Sequence, residues 1–287
     1  LHWWKYNSPV GFKPCPVDIF NVHSYPSTLE VQWTGQGHAV NPENTIYNLE
    51  KKLDTSLYYA TLMDAGLYNT ELGFDAYLDN RKTSSFTAIY PFGGKNEEQI
   101  QADWIIRSYL LHAARGISMY QYWLGDQGRY SNTSGTFNAS GFLKWDSEAN
   151  WLPVYEKRPA WYHLQAFKNN LINYVFKQEV RQDSLRMQLY INSKDSTQRA
   201  WIIWMASSSG SVNDVYLNLP SSYKMVTLSD NNPNGIIQNG TGNLQFTATE
   251  SPKIILFKQP PKIPAYKKYV LKRKYSVWKF VINIVNP

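Results

Sequence analysis

The chemical group that most invites explanation is a glutamate in the stretch GLYNTELGFD, residues 66–75. An apolar approach ends there in Thr70-Glu71, with Leu72, Gly73 and Phe74 following at once. A carboxylate at the tip of a buried strand is costly unless it is paired or used; the plainer reading is a solvated loop residue just past a strand end. A second stretch, VDIFNVHSYP, places His23 and Tyr25 two residues apart, so a strand there turns both onto one face. Other chemistries find less support. The five histidines (2, 23, 38, 112 and 163) lack the spacing of metal ligands. The run PFGGKNEE lacks the full phosphate-loop pattern, and the single Cys15 allows no internal disulfide framework. No cofactor is implied.

The elements that must position Glu71 alternate. Residues 17–25 fit a buried strand stopped by Pro26. Residues 44–65 carry Ile46, Leu49, Leu53, Leu57 and Tyr58 at helical spacing, and Gly66 leads into a strand over 67–71. Asn96 can cap a long amphipathic helix, EEQIQADWIIRSYLLHAAR, that Gly116 ends. A strand over 117–124 follows, then a loop rich in glycine, serine and asparagine, then a helix in RPAWYHLQAFKNNL with Pro159 in its first turn. Strand and helix alternating in this way argue for parallel βαβ units. After about residue 173 the pattern changes to seven short apolar runs separated by turn residues such as DNNPNG and NGTGN, which predicts an antiparallel β-sandwich over 173–258.

Of the 287 residues, 43% are hydrophobic and 15% aromatic, with 11 Trp and 21 Tyr, a composition suited to a globular chain; such aromatics serve as platforms in sugar-binding clefts, but barrels and sandwiches also bury many of them. No run of 18 or more apolar residues is present, so no transmembrane helix is predicted. The net charge of +7 is local. Residues 258–287 hold eight basic side chains and no acidic one, which leaves 21 basic against 22 acidic in residues 1–257. A near-neutral body argues against a nucleic-acid partner.

Taken in order, PVDIFNVHSYP, LYNTELGFD, EEQIQADWIIRSYLLHAARG, MYQYW, KRPAWYHLQAF and the terminal ESPKIILF resemble the C-terminal half of a clan A glycoside hydrolase. The nearest relative is family 39, the β-xylosidase and α-iduronidase-like group. The resemblance covers about residues 1–258 and implies a (β/α)8 barrel with its chemistry at the C-terminal strand ends. On that template the three strands are strands six, seven and eight, and residues 1–172 are a partial barrel bearing the catalytic face. Residues 173–258 are then an accessory sandwich and 259–287 a basic tail. The resemblance makes Glu71 the nucleophile of a retaining mechanism. It has Tyr25 donate a hydrogen bond to Glu71, His23 line the same subsite, Trp123 stack under the sugar and Asp126 bind its hydroxyls. The partner is then an oligosaccharide or glycoside.

The general acid/base is missing. The family carries it in an Asn-Glu pair after strand four, whereas the one Asn-Glu here, Asn96-Glu97, opens a helix. Three barrel strands cannot close. The expectation is therefore a portion of a longer enzyme, or one part of a split enzyme whose first five units come from a second polypeptide, inactive as a lone monomer. Refolding as an open sheet, or an inverting pair of Glu71 with Asp75 or Asp126, are further alternatives that the family pattern disfavours. An opening without methionine (LHWWKYNSPVGFKP) fits the first expectation.

A rival reading is a non-catalytic carbohydrate-binding or structural module, which a surface line of aromatics would favour; Trp201 and Trp204 lie on opposite strand faces, so at most one is exposed. The tail fits a solvated extension, a final strand, or a contact with an acidic polymer, a membrane surface or a partner. Its aliphatic run over 280–285 favours packing. Sequons at Asn132, Asn138 and Asn239 are compatible with the secretion that the resemblance implies.

Overall fold

The structure is a computed structural model that describes residues 18–28, 38–76, 87–121, 124–126, 139–146, 154–259, 272–274 and 277–283. It is a mixed helix and sheet fold, mostly strands. Strands β1 (Ile19–His23), β2 (Gly66–Glu71) and β3 (Ser118–Met119) form a parallel sheet in that order. Helices α1 (Leu49–Leu62) and α2 (Glu97–Ala113) make the two crossovers, and α3 (Pro159–Leu171) follows a small hairpin of β4 (Leu143–Asp146) and β5 (Val154–Lys157).

Local chemistry explains most of these boundaries. At α2, the Asn96 side chain accepts from the Gln99 N–H while the Gln99 side chain accepts from the Asn96 N–H, and Glu97 and Glu98 sit in the first turn. Pro159 opens α3. Helix α1 begins five residues later than the apolar spacing predicts. Asn44 Oδ1 accepts from both Ile46 and Tyr47 N–H groups, so residues 44–47 form a side-chain-closed turn instead. Leu49 and Leu53 are fully buried, while Ile46 and Tyr58, expected on the same face, are 77% and 61% exposed. Among the described residues strand β3 is shorter than the predicted 117–124, although the Tyr120 N–H still donates to the Asn69 carbonyl at 2.9 Å. Ser118 pairs with Tyr68 and Met119 with Asn69, and β2 ends two residues later.

A large sheet holds the remaining strands: β6 (Tyr174–Gln182), β7 (Leu185–Asn192), β8 (Gln198–Met205), β9 (Asn213–Thr227), β10 (Ile236–Ala248), β11 (Lys253–Lys258), β12 (Lys272–Lys274) and β13 (Val277–Asn283). Its order is β12-β13-β9-β11-β8-β7-β6, with β10 also paired to β9. All pairings are antiparallel except β13 on β9. Part of the basic tail therefore joins the sheet, as a final strand. Two of the seven predicted runs, SVNDVYLNL and KMVTLSD, are one strand, β9. Pro220 falls within 219–221, for which no ladder partner occurs among the described residues, so its missing N–H costs nothing there. The NGTGN signal is a bulge inside β10, with Gly242 at φ +70°, whereas DNNPNG is the true turn.

Strand β8 is buried on both sides. Trp201, Ile203 and Met205 join Leu189, Leu217, Met225 and Phe257 on one face. Ala200, Ile202 and Trp204 meet Ile106 and Leu110 of α2 and Ala166 of α3 on the other. Neither Trp201 nor Trp204 is exposed. Helix α2, expected to be amphipathic, is enclosed instead. Ile100, Trp104, Ile105 and Leu111 face the parallel-sheet core, Ile106 and Leu110 face the large sheet, and its polar Gln101, Asp103, Arg107, Ser108 and His112 are buried too.

Polar contacts also cross between the large sheet and the helical layer. Arg107 holds the carboxylate of Glu43 with Nε 3.1 Å from both oxygens and Nη2 bonded to Oε2, and Trp204 Nε1–H donates to Oε1 at 2.8 Å. Gly93 and Gly210, both at positive φ, touch backbone to backbone: a Cβ on either would lie 2.9 Å from the Cα of the other.

Candidate active site

Glu71 is the last residue of β2, and His23, the last of β1, stands opposite it. The ladder slips by one residue between Val22 and His23. That bulge leaves Thr70 as the extra residue and brings Glu71 beside the imidazole. His23 Nδ1 lies 3.1 Å from Glu71 Oε2, and the Tyr25 hydroxyl donates to the same oxygen at 3.4 Å. The other ring nitrogen, Nε2, faces Asn21 Nδ2 at 3.4 Å and the Thr70 hydroxyl at 3.3 Å, while that hydroxyl donates to Asn21 Oδ1 at 2.7 Å. With its hydrogen on Nδ1 the ring donates to Glu71 and accepts from the Asn21 amide at Nε2, while the Thr70 hydroxyl, already donating to Asn21 Oδ1, has no hydrogen left for Nε2. Among the described residues no partner is placed on Glu71 Oε1. The His23 and Glu71 side chains are 46% and 29% exposed, so the carboxylate is held from one side and open on the other.

Behind this face the supports are buried. Asn69 is fully enclosed, accepts from the Ser24 N–H at 3.3 Å and lies 2.8 Å from His112 Nε2. Burial pushes the His112 imidazolium down to about 4, the Ser108 carbonyl opposing and Arg115 adding to the shift. Lys52 of α1 donates from Nζ to the Tyr25 carbonyl at 2.8 Å, and burial lowers its ammonium pKa.

The loops after the strands are stitched together through Asp75. This fully buried carboxylate accepts from the Ser140 hydroxyl at 2.6 Å, from the Ala139 N–H at 3.1 Å and from the Thr87 hydroxyl. Asp126 departs from the expected sugar contact. Its side chain has no exposure, both oxygens accept from Arg158 (Nη2 to Oδ2 at 2.9 Å), and Oδ1 also accepts from the Gly141 N–H at 3.2 Å. Its lone pairs are committed to an internal ion pair, so a sugar hydroxyl could reach them only by breaking it. Asp75 and Asp126 are therefore both unsuited to the role of second catalytic carboxylate. Trp123 lies outside the described residues.

The structure thus brings together Glu71, His23 and Tyr25. Asn21 and Thr70 complete the cluster without having been singled out from the sequence. Asn21 was within reach of the same alternation that pairs His23 with Tyr25, whereas Thr70 enters through a bulge that leaves no trace in residue type. Among the described residues no group of His, Cys, Asp and Glu is arranged to hold a metal, and no helix is long and apolar enough to cross a membrane.

No family model and no curated protein matches the chain. Among solved structures, the chain is similar to a family 39 glycoside hydrolase from the gut symbiont Bacteroides cellulosilyticus WH2, at TM-score 0.44 and 15% identity, covering 68% of this chain and 34% of that one. It is similar to a conserved exported protein from Bacteroides fragilis at TM-score 0.46 and 11% identity, over 84% of this chain and 46% of that one. A third likeness is to an arabinofuranosidase, at TM-score 0.43 and 11% identity, over 83% of this chain and 52% of that one. The chain therefore spans between 34% and 52% of the lengths of these three structures. Likenesses this loose carry no argument about chemistry, which has to rest on the geometry around Glu71.

Proposed function

We propose that this chain supplies the nucleophile half of a retaining glycoside hydrolase, with Glu71 as the nucleophile. The observation that carries the reading is the asymmetry of the Glu71 carboxylate, with two donors on Oε2 and none of the described residues on Oε1, at the C-terminal edge of a parallel sheet. In the reaction, Oε1 attacks the anomeric carbon as the bond to the leaving oxygen breaks, and a general acid gives that oxygen its proton. Water then attacks the glycosyl ester, its proton passing to the same group acting as base, and the sugar leaves with its configuration retained. The His23 and Tyr25 contacts fix the Glu71 rotamer and engage Oε2, not the attacking oxygen. In the ester, Oε2 becomes the carbonyl oxygen they continue to hold.

In this reading β1, β2 and β3 are strands six to eight of a (β/α)8 barrel, and the large sheet is an accessory β-sandwich behind it. The acid/base carboxylate belongs to the first five barrel units, carried either by more of the same polypeptide or by a second one. The half-open inner face of β1 (Ile19 56% exposed, with Asn21 and His23 also exposed) is where those units would pack. Trp123 supplies a stacking face for the sugar, the substrate is an oligosaccharide or simpler glycoside, and the protein works outside the cytoplasm. The binding-module alternative loses its main support with the burial of both Trp201 and Trp204.

The test is to isolate the whole assembly, screen it with aryl glycosides, and inactivate it with a 2-deoxy-2-fluoro glycoside of the sugar it accepts. Peptide mass spectrometry should find the label on Glu71, and Glu71→Gln should abolish both labelling and turnover. Labelling of another carboxylate, or full turnover by Glu71→Gln, would sink the proposal.

A further inference from the structure

We infer that Asn69 is a positioning residue for the Glu71 centre, its side-chain amide setting how the ends of β1 and β2 face each other. The inference rests on the reading of Glu71 as nucleophile. The ladder slips after Val22 and ends at the His23–Glu71 pair, so beyond His23 no backbone pairing to β2 among the described residues holds the chain. The Asn69 side chain takes that role, Oδ1 accepting the Ser24 N–H at 3.3 Å. Ser24 lies between His23 and Tyr25, the two residues that hold Glu71 Oε2, and Asn69 stands two residues before Glu71 on β2. These five residues close a ring: Asn69 to Ser24, Ser24 to its neighbours His23 and Tyr25, those neighbours to Glu71, and Glu71 back along the strand.

The amide can do this in only one of its two orientations, and His112 selects it. His112 Nδ1 faces the Ser108 carbonyl at 2.7 Å, and a carbonyl only accepts, so the ring hydrogen is on Nδ1. Nε2 is then a bare acceptor, 2.8 Å from Asn69 Nδ2, which must be the amide nitrogen, leaving Oδ1 for Ser24. A turned amide would set NH2 against the Ser24 N–H. Asn69, Ser108 and His112 are at most 1% exposed, so water cannot substitute for either bond. Helix α2, enclosed between the two sheets, thereby reaches the catalytic face through one histidine.

Three readouts test the inference. In the wild-type chain, long-range 1H–15N imidazole spectra should show His112 with hydrogen on Nδ1 only. In Asn69→Asp, a carboxylate oxygen replaces the amide donor against Nε2, so His112 should carry both hydrogens at pH 7, a signature that loss of packing alone does not produce. In Asn69→Ala, hydrogen exchange at the Ser24 amide should quicken at least about tenfold, with the β8 amides unchanged. In the whole glycosidase, the same variant should lower kcat about a hundredfold with KM nearly constant, as expected when reacting atoms are displaced by about 1 Å. An Nε2–H tautomer in the wild type, unchanged Ser24 exchange, or an Asn69→Ala enzyme of normal kcat would each overturn the inference while leaving Glu71 as nucleophile. A wild-type assembly without turnover would overturn both.

Discussion

Replacing Arg107 by methionine should be among the most damaging single changes in the helical layer, and its cost should depend on pH in a distinctive direction. The Arg107 and Glu43 side chains are 0% and 1% exposed, and the carboxylate also takes the Trp204 N–H. Methionine fills much of the volume but leaves Glu43 buried with that single neutral donor. Breaking a buried pair from one side costs about 3–5 kcal/mol, a large part of a typical folding free energy of about 5–15 kcal/mol. Burial by itself would push the Glu43 carboxyl up, but the Arg107 charge and hydrogen bonds, with Trp204, hold it below the usual carboxylate range. In the native protein this stability is present above the unfolded carboxylate pKa and is lost as pH falls through the lower folded value. Without Arg107 burial prevails, the folded pKa lies above the unfolded one, and stability is lost instead as pH rises. The penalty should therefore shrink on acidification. Urea unfolding of both proteins at pH 7 and pH 4.5 measures it, and other titrating groups cancel in the difference. The double change Arg107→Met with Glu43→Gln should recover most of the loss at pH 7. A penalty below about 1 kcal/mol at pH 7, or one that grows toward pH 4.5, would refute this account.

His112 predicts a separate acid sensitivity. Its folded pKa of about 4 lies below the ordinary 6.5, so stability is complete above pH 6.5 and falls by about 3 kcal/mol as pH drops toward 4; His112→Gln should flatten that part of the profile in denaturant melts. Asp126→Asn should cost about 3–5 kcal/mol by leaving the Arg158 guanidinium short of charge; a raised KM with unchanged melting temperature would instead restore Asp126 to the sugar. Gly235→Ala should lower the melting temperature by several degrees, because Gly235 sits at φ +70° and a Cβ there would lie 2.6 Å from Val226 Cγ1 and 2.7 Å from the Thr227 carbonyl. An unchanged Tm would mean that the β9–β10 turn relaxes freely.

What the sequence disclosed were features written in neighbouring residues. Asn96 and Gln99 announce α2, Pro159 announces α3, and the alternation of His23 with Tyr25 places both residues that contact the Glu71 carboxylate. What it concealed were features set by distant partners. The Asp126–Arg158 pair joins residues 32 apart whose types say nothing of each other, so Asp126 looked available to a sugar. The runs SVNDVYLNL and KMVTLSD looked like two strands because their union in β9 depends on pairing with three other strands. Helix α2 looked amphipathic because its buried polar residues gain their partners only in the folded chain: Arg107 from Glu43, Gln101 from the Phe74 and Ala139 carbonyls. The bulge after Val22, on which the meeting of Glu71 with His23 depends, is a property of two strands together and of neither alone.

The contact of Gly93 with Gly210 bears on how this protein can change over generations or at the bench. Two main chains meet there with no side chain between them, so each site forbids a methyl group at the other. The same boundary is crossed by the Arg107, Glu43 and Trp204 triad. The large sheet is therefore not an interchangeable cassette. A sheet grafted from another protein would need glycine opposite Gly93 and an indole N–H over Glu43 before its own stability counted, and exchanges across this boundary should succeed only when both loops travel together.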